Sequence, residues 1–595
     1  TLDAASNNTG FGNEVFDDLT SGDANTGVGS QALAKLTTGG DNTAVGQNAL
    51  DALTTADYNT AVGANAGGAL TTGAANTAVG NDALETATTG AANTAIGAYA
   101  LRVNTADNNT AVGNQAMIAN TTGANNVAVG TFATDANTTG SENTSMGHAS
   151  LSSNTTADAN TSVGFTSMLA NTTGAYNVAV GHNSLKANTT AANNTAVGAS
   201  ALEANTTGAD NVAIGKFALT ANTTGNTNTA IGFETLKANT TGTHNIAVGR
   251  QALVANTTAV ENVAVGYNTL ATNTTGTKNV ALGSRALDAN TTADNNTAVG
   301  YDALGANTTG GANTAVGMGA LDANTTADYN TAVGQNALGA NTTGASNTAV
   351  GLGALQDNTT GLESVALGTS ALANQTTDQG NVALGFEALT THTTSDGGFN
   401  VAIGWKALDA STDGHSNIGI GKNALGALTT ADQNTAVGTN ALGANTSGTR
   451  NTAIGAIAME DNTTGTNNTA VGKGALANNT TADDNCAFGI ESLFDNTAGA
   501  GNTGYGYATL ANNTTGGDNV AVGKNALVAN TEASNNIAVG SGALAANTTG
   551  TGNIAMGRNT LIANTTANFN TGVGHNTLDA NTTGAENTAV GREAL

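Results

Sequence analysis

Six histidines, one cysteine and one tryptophan are the side chains of this 595-residue chain best suited to catalysis or ligand recognition, and their spacing sets them apart. His148, His182, His244, His392, His415 and His575 fall at scattered points. Acid–base and nucleophilic mechanisms need their groups within hydrogen-bond reach of one another, and nothing in this distribution gathers them, so no enzyme is expected. Cys486 stands alone, which excludes an intrachain disulfide, and it fills a slot held elsewhere by Thr, Val or Ile, as a small residue on a packed face would. Gly317-Met318-Gly319 and Gly419-Ile420-Gly421-Lys422 have the glycines of a phosphate loop without its full spacing. Asp57, Asp294 and Asp328 share one slot after Thr-Ala, but calcium-binding rolls use a regular acidic column and no column here is consistently acidic. Neither a metal nor another cofactor is expected. Asn-x-Thr acceptors such as Asn120-Thr121-Thr122 recur throughout, and the needs of a repeated turn suffice to explain them. Trp405, with Phe386 and Phe399 nearby in sequence, is the one place where aromatic residues coincide with an irregularity, and it is the candidate platform for stacking a sugar ring.

The elements that must position these residues repeat. A five-residue phrase of the type Asn-Thr-Ala-Val-Gly returns 35 times, almost always seventeen residues after the last, from Asn8 to Asn587. Two steps differ. Asn93 to Asn109 is one residue short, and Asn381 to Asn400 is two residues long, with Ser395-Asp396-Gly397-Gly398 accommodating the excess. A fixed short period over a whole chain means one small unit stacked on itself, a solenoid, which grows in one dimension without dividing. The expectation is a single continuous repeat domain over 1–595, irregular near 93–109 and 381–400, of about 35 seventeen-residue coils. At the ~4.8 Å strand spacing such a stack would be roughly 170 Å long.

Numbering the repeat from its opening Asn gives Asn-Thr-Ala-Val-Gly-x-x-Ala-Leu-x-Ala-Asn-Thr-Thr-Gly-x-x. Column five is Gly in all 35 copies, which marks a positive φ at a corner or a backbone pressed against its neighbour. Column nine is Leu in 29 copies and belongs to the core. Columns two to four read as a short strand. Column three is Ala in 28 copies and otherwise Gly or Ser; column four is apolar throughout; column two, on the same side as column four, is Thr, Val, Ile or once Cys. Ala44, Val45, Gly46 and Leu50 are thus the structural residues of one typical coil. A strand with water on one face would let that face drift to charged types, and neither face does, the pattern of a strand covered on both sides. The coil's own Leu wall is one cover. A second chain is expected to be the other, because the alternative is an apolar stripe along the molecule, and cyclic threefold symmetry is the expected closure. The Ala-Asn-Thr-Thr-Gly half is turn-prone, with Asn in register to form hydrogen-bonded ladders. Most charge falls in columns six, seven, ten, sixteen and seventeen, which are expected to face solvent.

Composition narrows the partners. The formal charge of −27 argues against nucleic acid and anionic membranes, both of which select Lys and Arg. No apolar run approaches the ~18 residues of a spanning helix, so no membrane insertion of this segment is expected. The chain opens at Thr1 and stops at Leu595 within a repeat, as a piece of a longer fibre would.

The phrases Asn-Val-Ala-Val-Gly at 126–130 and 262–266 and Asn-Ile-Ala-Val-Gly at 245–249 resemble the head repeats of YadA-like trimeric autotransporter adhesins, and similar repeats occur in phage tail fibres. The resemblance implies a left-handed parallel β-roll with three chains packed about an axis. It points to an extracellular structural fibre on a cell or virion surface, with adhesive capacity; the alternatives are a receptor- or carbohydrate-binding tail fibre and an ice-binding solenoid, the last suggested by the Thr columns. The expected partner is a second and third copy of the chain, with a host-surface glycan or receptor as a further candidate.

Overall fold

Each opening phrase becomes one short rung of a parallel sheet. In the computed structural model, which describes residues 6–393 and 397–595, the chain forms two compact units, 1–296 and 297–595. Unit 1 carries the three-residue strands β1 (Thr9–Phe11) to β17 (Val280–Leu282), and unit 2 carries β18 (Thr297–Val299) to β35 (Thr588–Val590). Within each unit every strand pairs in parallel with the next in chain order, as in Val212–Ile214 against Thr229–Ile231, where Val212 faces Thr229, Ala213 faces Ala230 and Ile214 faces Ile231. Both units are all-β solenoids of seventeen-residue coils, with no helix among the described residues.

Steric fit decides which side of the strand is inside. Column three is buried, at Ala44, Ala213 and Ala230 among many others, while columns two and four point outward. A Cβ placed on Gly419, in column three, would sit 3.3 Å from Leu408 of the preceding coil, so only Ala, Gly or Ser fits beside the column-nine wall. The larger Val and Ile are displaced to the outer face. Where Ser enters column three it is paired inside: Thr134 donates to Ser145, and Ser150 and Ser162 bond through their hydroxyls.

Column five is glycine for both of the reasons its invariance suggests. Gly215 has φ +134°, and a Cβ there would meet the carbonyl oxygen of Gly232 in the next coil at 2.3 Å. The chain then turns through residues in the left-handed region, such as Phe217 and Leu219 at φ 62° and 50°, and again at column seventeen, where Asp210 has φ 59°. That conformation suits the Asn, Asp and Gly frequent in columns seven and seventeen. Column nine is held there by burial, since Leu219 is fully enclosed.

Two asparagine ladders complete the interior. Column one and column twelve are both buried. Asn245 donates its backbone N–H and its Nδ2 to Asn228 Oδ1 one coil back, at 3.0 and 3.2 Å, and its Nδ2 also to the Ala259 carbonyl at 2.9 Å. From column twelve Asn256 donates to Asn239 Oδ1 and to the same Ala259 carbonyl. Both ladders therefore meet on the column-fifteen carbonyl, and the Asn245 and Asn256 amides are satisfied by protein groups. Column-thirteen hydroxyls bond along the stack as well, Thr223 Oγ1 donating to the Thr240 carbonyl at 3.1 Å.

The irregular coils keep the register of the strands. In coil 93–108 the missing residue is the exposed column-fourteen Thr, and Asn104 reaches the Ala106 carbonyl directly at 2.7 Å while Thr94 still faces Thr110. In coil 381–399 Val382 still faces Val401. Gly398 is confined there, since a Cβ would strike the Asn381 side chain at 2.2 Å. Ser395 and Asp396 of this insertion lie outside the described residues.

Candidate functional site

Three arrangements bring chemistry-bearing residues together, and the largest is the outer face of the sheet. Column four is left bare: Val45 is 37% exposed and Leu367 48%. With roughly a third of each such side chain open, about 50 Å² per coil is uncovered, so the seventeen strands of unit 1 add up to roughly 800 Å², beyond the patch typical of a monomer. The outward columns run in the order seventeen, two, four, six, because side chains alternate across an extended strand.

Column six is not uniformly mixed. His148, Phe165 and His182 stack in succession, with ring centroids 5.3 and 5.4 Å apart. Arg250 lies between the Phe233 and Tyr267 rings at 5.7 and 5.9 Å, and Lys524 lies on Tyr507 at 5.8 Å. Trp405 belongs to this column, 47% exposed, with Lys406 and Lys422 each 5.3 Å from its ring. Phe386 is one coil earlier in the same column, 44% exposed, so the fold brings these two sequence candidates together. Phe399 is not with them. It occupies column seventeen, across the strand, against Gly380 and Gly397.

The second arrangement is interior. At 375, 392 and 411 the column-twelve ladder changes from Asn to Gln, His and Ser. His392 Nε2 meets Asp378 Oδ2 at 2.5 Å, and Asn381 Nδ2 reaches the same oxygen at 3.1 Å. Burial raises the Asp378 carboxyl, but the bonds from His392, Asn381 and the Gln379 N–H outweigh it, and the net shift is downward. His392, Asp378 and Ser411 are the residue types of a nucleophilic triad, yet all three are buried, at 2% exposure or less, leaving no route for a substrate. No sequence signal marked this pair, which are fourteen residues apart and meet only because column twelve lies beside column fifteen.

The third is the column-sixteen aspartates. Asp57, Asp294 and Asp328 each accept the backbone N–H of column sixteen in the preceding coil, at 2.7, 2.6 and 2.6 Å. They close backbone donors, which is a structural use of the carboxylate. Among the described residues no three His, Cys, Asp or Glu side chains converge on a metal position. Two shallow hollows open where column ten is glycine, at Gly68 beside Asp51 and Glu85 and at Gly339 beside Asp322. Burial pushes the Asp51 and Asp322 carboxyls up. Of the other histidines, His415 pairs with Asp432 at 3.1 Å on the surface. Cys486 is half-buried in column two, and burial raises its thiol.

No helix among the described residues is long and apolar enough to cross a membrane. No family model matches the chain, and no curated protein does.

Proposed function

We propose that the protein is a structural fibre of a cell or virion surface, built by self-association of the solenoid as a parallel homotrimer. The observation that carries this is the outer face of the sheet, where the apolar column four, flanked by the Thr, Val and Ile of column two, runs along each unit and is left partly bare in the single chain. Roughly 800 Å² per partner is what a specific, stable interface buries. A function of length and stiffness also fits a surface that repeats one coil rather than building one special site, and it accords with the resemblance to adhesin head repeats. The test is the mass of the protein in solution with the outer face intact and altered. Sedimentation should give three times the chain mass for the native protein, and single chains with unchanged circular dichroism for Val197, Ile214, Ile231 and Val248 all changed to Asp. A native protein that sediments as one chain at micromolar concentration overturns the proposal.

A second reading, carbohydrate binding, has one observation in its favour: Trp405 and Phe386 are exposed on adjacent coils, with two lysines at the Trp ring. A glycan array with native protein and Trp405→Ala tests it; identical profiles for the two would remove it.

A further inference from the structure

The apolar face has two unlike rims. Column six, on one side, carries seven Lys or Arg and three His in its 35 copies and no Asp or Glu, in a chain with 42 acidic residues. Column seventeen, on the other, carries eight Asp or Glu against two Lys or Arg. The eight acids divide evenly, with Asp41, Glu142, Asp210 and Glu261 in unit 1 and four more in unit 2. All are exposed.

Within the chain both rims are left largely without ion pairs. Five ion pairs of the described residues lie within columns seven and ten, as Lys237 with Glu234 and Lys406 with Glu387 and Asp409. In column six Arg592 pairs with the adjacent Glu593 at 3.2 Å, whereas Lys216, Arg250, Lys422, Lys473 and Lys524 make no such pair, and none of the eight column-seventeen acids does. Six residues of chain separate the rims in any one row, too far for Asp210 to reach Lys216 or Asp518 to reach Lys524 across the strand. The cations are nonetheless held in place, since Lys216 rests on Phe217 at 4.8 Å and Lys422 on Trp405 at 5.3 Å. Two ordered lines of opposite, largely unpaired charge therefore border one apolar face.

We infer that the rims pair between copies, the column-seventeen acids of one chain against the column-six bases of the next, and that this pairing sets the direction in which copies associate. The inference rests on the self-association proposed above and adds which residues meet. Rotation about an axis along the coil-stacking direction leaves each row at its own height and carries the acidic rim of one copy onto the basic rim of its neighbour. The alternative, a face-to-face pair running in opposite directions, is generated by an axis parallel to the strands and sets acid on acid and base on base. Same-row partners support the first geometry: Glu142 shares a row with His148, Asp210 with Lys216, Asp518 with Lys524 and Glu586 with Arg592, and no row has an acid on both rims. Such pairs lie at the border of the apolar contact, where charges govern orientation more than affinity.

Cross-linking tests the pairing directly. In a Cys486→Ser background, one tagged chain carries Asp210→Cys and a differently tagged chain carries Lys216→Cys; the two are co-expressed and treated with a short bismaleimide. The expected product is a dimer bearing both tags, with neither variant linking to itself. An assembly of native mass that yields no mixed dimer overturns the rim pairing while leaving self-association standing; a single-chain mass overturns both. Charge exchange gives a second readout. Asp210→Lys with Asp518→Lys should weaken association roughly tenfold at low salt, and adding Lys216→Asp and Lys524→Asp should restore it. Failure of the four-fold exchange to restore association also overturns the pairing.

Discussion

Replacing Gly215 by Ala isolates the contact that fixes the coil spacing. The backbone there has φ +134°, and the new Cβ would lie 2.3 Å from the Gly232 carbonyl oxygen and 2.6 Å from its carbon. Holding a non-glycine residue in that region costs of order 1–3 kcal/mol. The overlap is with backbone, so it is relieved only by parting the coils, which weakens the Gly232 N–H to Ile214 bond and the Gly215 N–H to Val197 bond, both 2.7 Å. At about 0.5–1.5 kcal/mol each, these bring the loss to roughly 2–6 kcal/mol. Repeat arrays unfold coil by coil, so a single melting temperature would blur the effect. Amide hydrogen exchange reads it locally, and at 1.4 kcal/mol per decade the Gly215 and Gly232 amides should lose about thirtyfold or more of their protection. Gly208→Ala is the matched control. Its Cβ would come equally close to a carbonyl, 2.4 Å from Gly225, but φ is ordinary and the chain itself places Ala in this column at Ala191 and Ala259. Its protection should change by under a factor of ten. Equal losses for the two substitutions, or a loss under tenfold for Gly215→Ala, would refute the view that positive φ and backbone contact together make column five invariant.

Asn239→Ala should open its coil by about 2–3 kcal/mol, because Asn256 Nδ2 and the Gly242 carbonyl each lose a buried partner, and denaturant-dependent hydrogen exchange of the 239–259 segment measures it. Asp378 has a folded pKa below its ordinary value, so its contribution to stability is present above about pH 4 and is lost as pH falls through the lowered value. Acid should therefore sensitise the coil around His392 to protease below about pH 4, and Asp378→Asn should abolish that dependence. Cys486 should react with a maleimide more slowly than a free cysteine at pH 8, because its raised pKa leaves less thiolate, and its pH profile should be displaced to higher pH.

The period, the strand at columns two to four, the glycine corner and the leucine core were all legible in the residues, because each is a constraint that recurs in every coil: an invariant Gly reports positive φ or close approach, and alternating restriction reports a strand. Ladder formation by Asn was legible too, from its register. What the residues left open was which face of the strand is inside. Ala and Val are both apolar, and only the packing of Leu408 against the Gly419 backbone shows that the inner side has room for a methyl or hydroxymethyl group and no more. Burial of both Asn columns, their meeting on one carbonyl and the use of Asp57, Asp294 and Asp328 on backbone N–H groups were likewise decided by the path of the coil. The same holds for Asp378 and His392, and for Phe399, which sequence proximity grouped with Trp405 and the fold set on the opposite rim. The physical reason is that a repeat encodes the environment of a column through what it tolerates, whereas the distance between two columns depends on how the turns close, and that closure exists only once the coils have stacked.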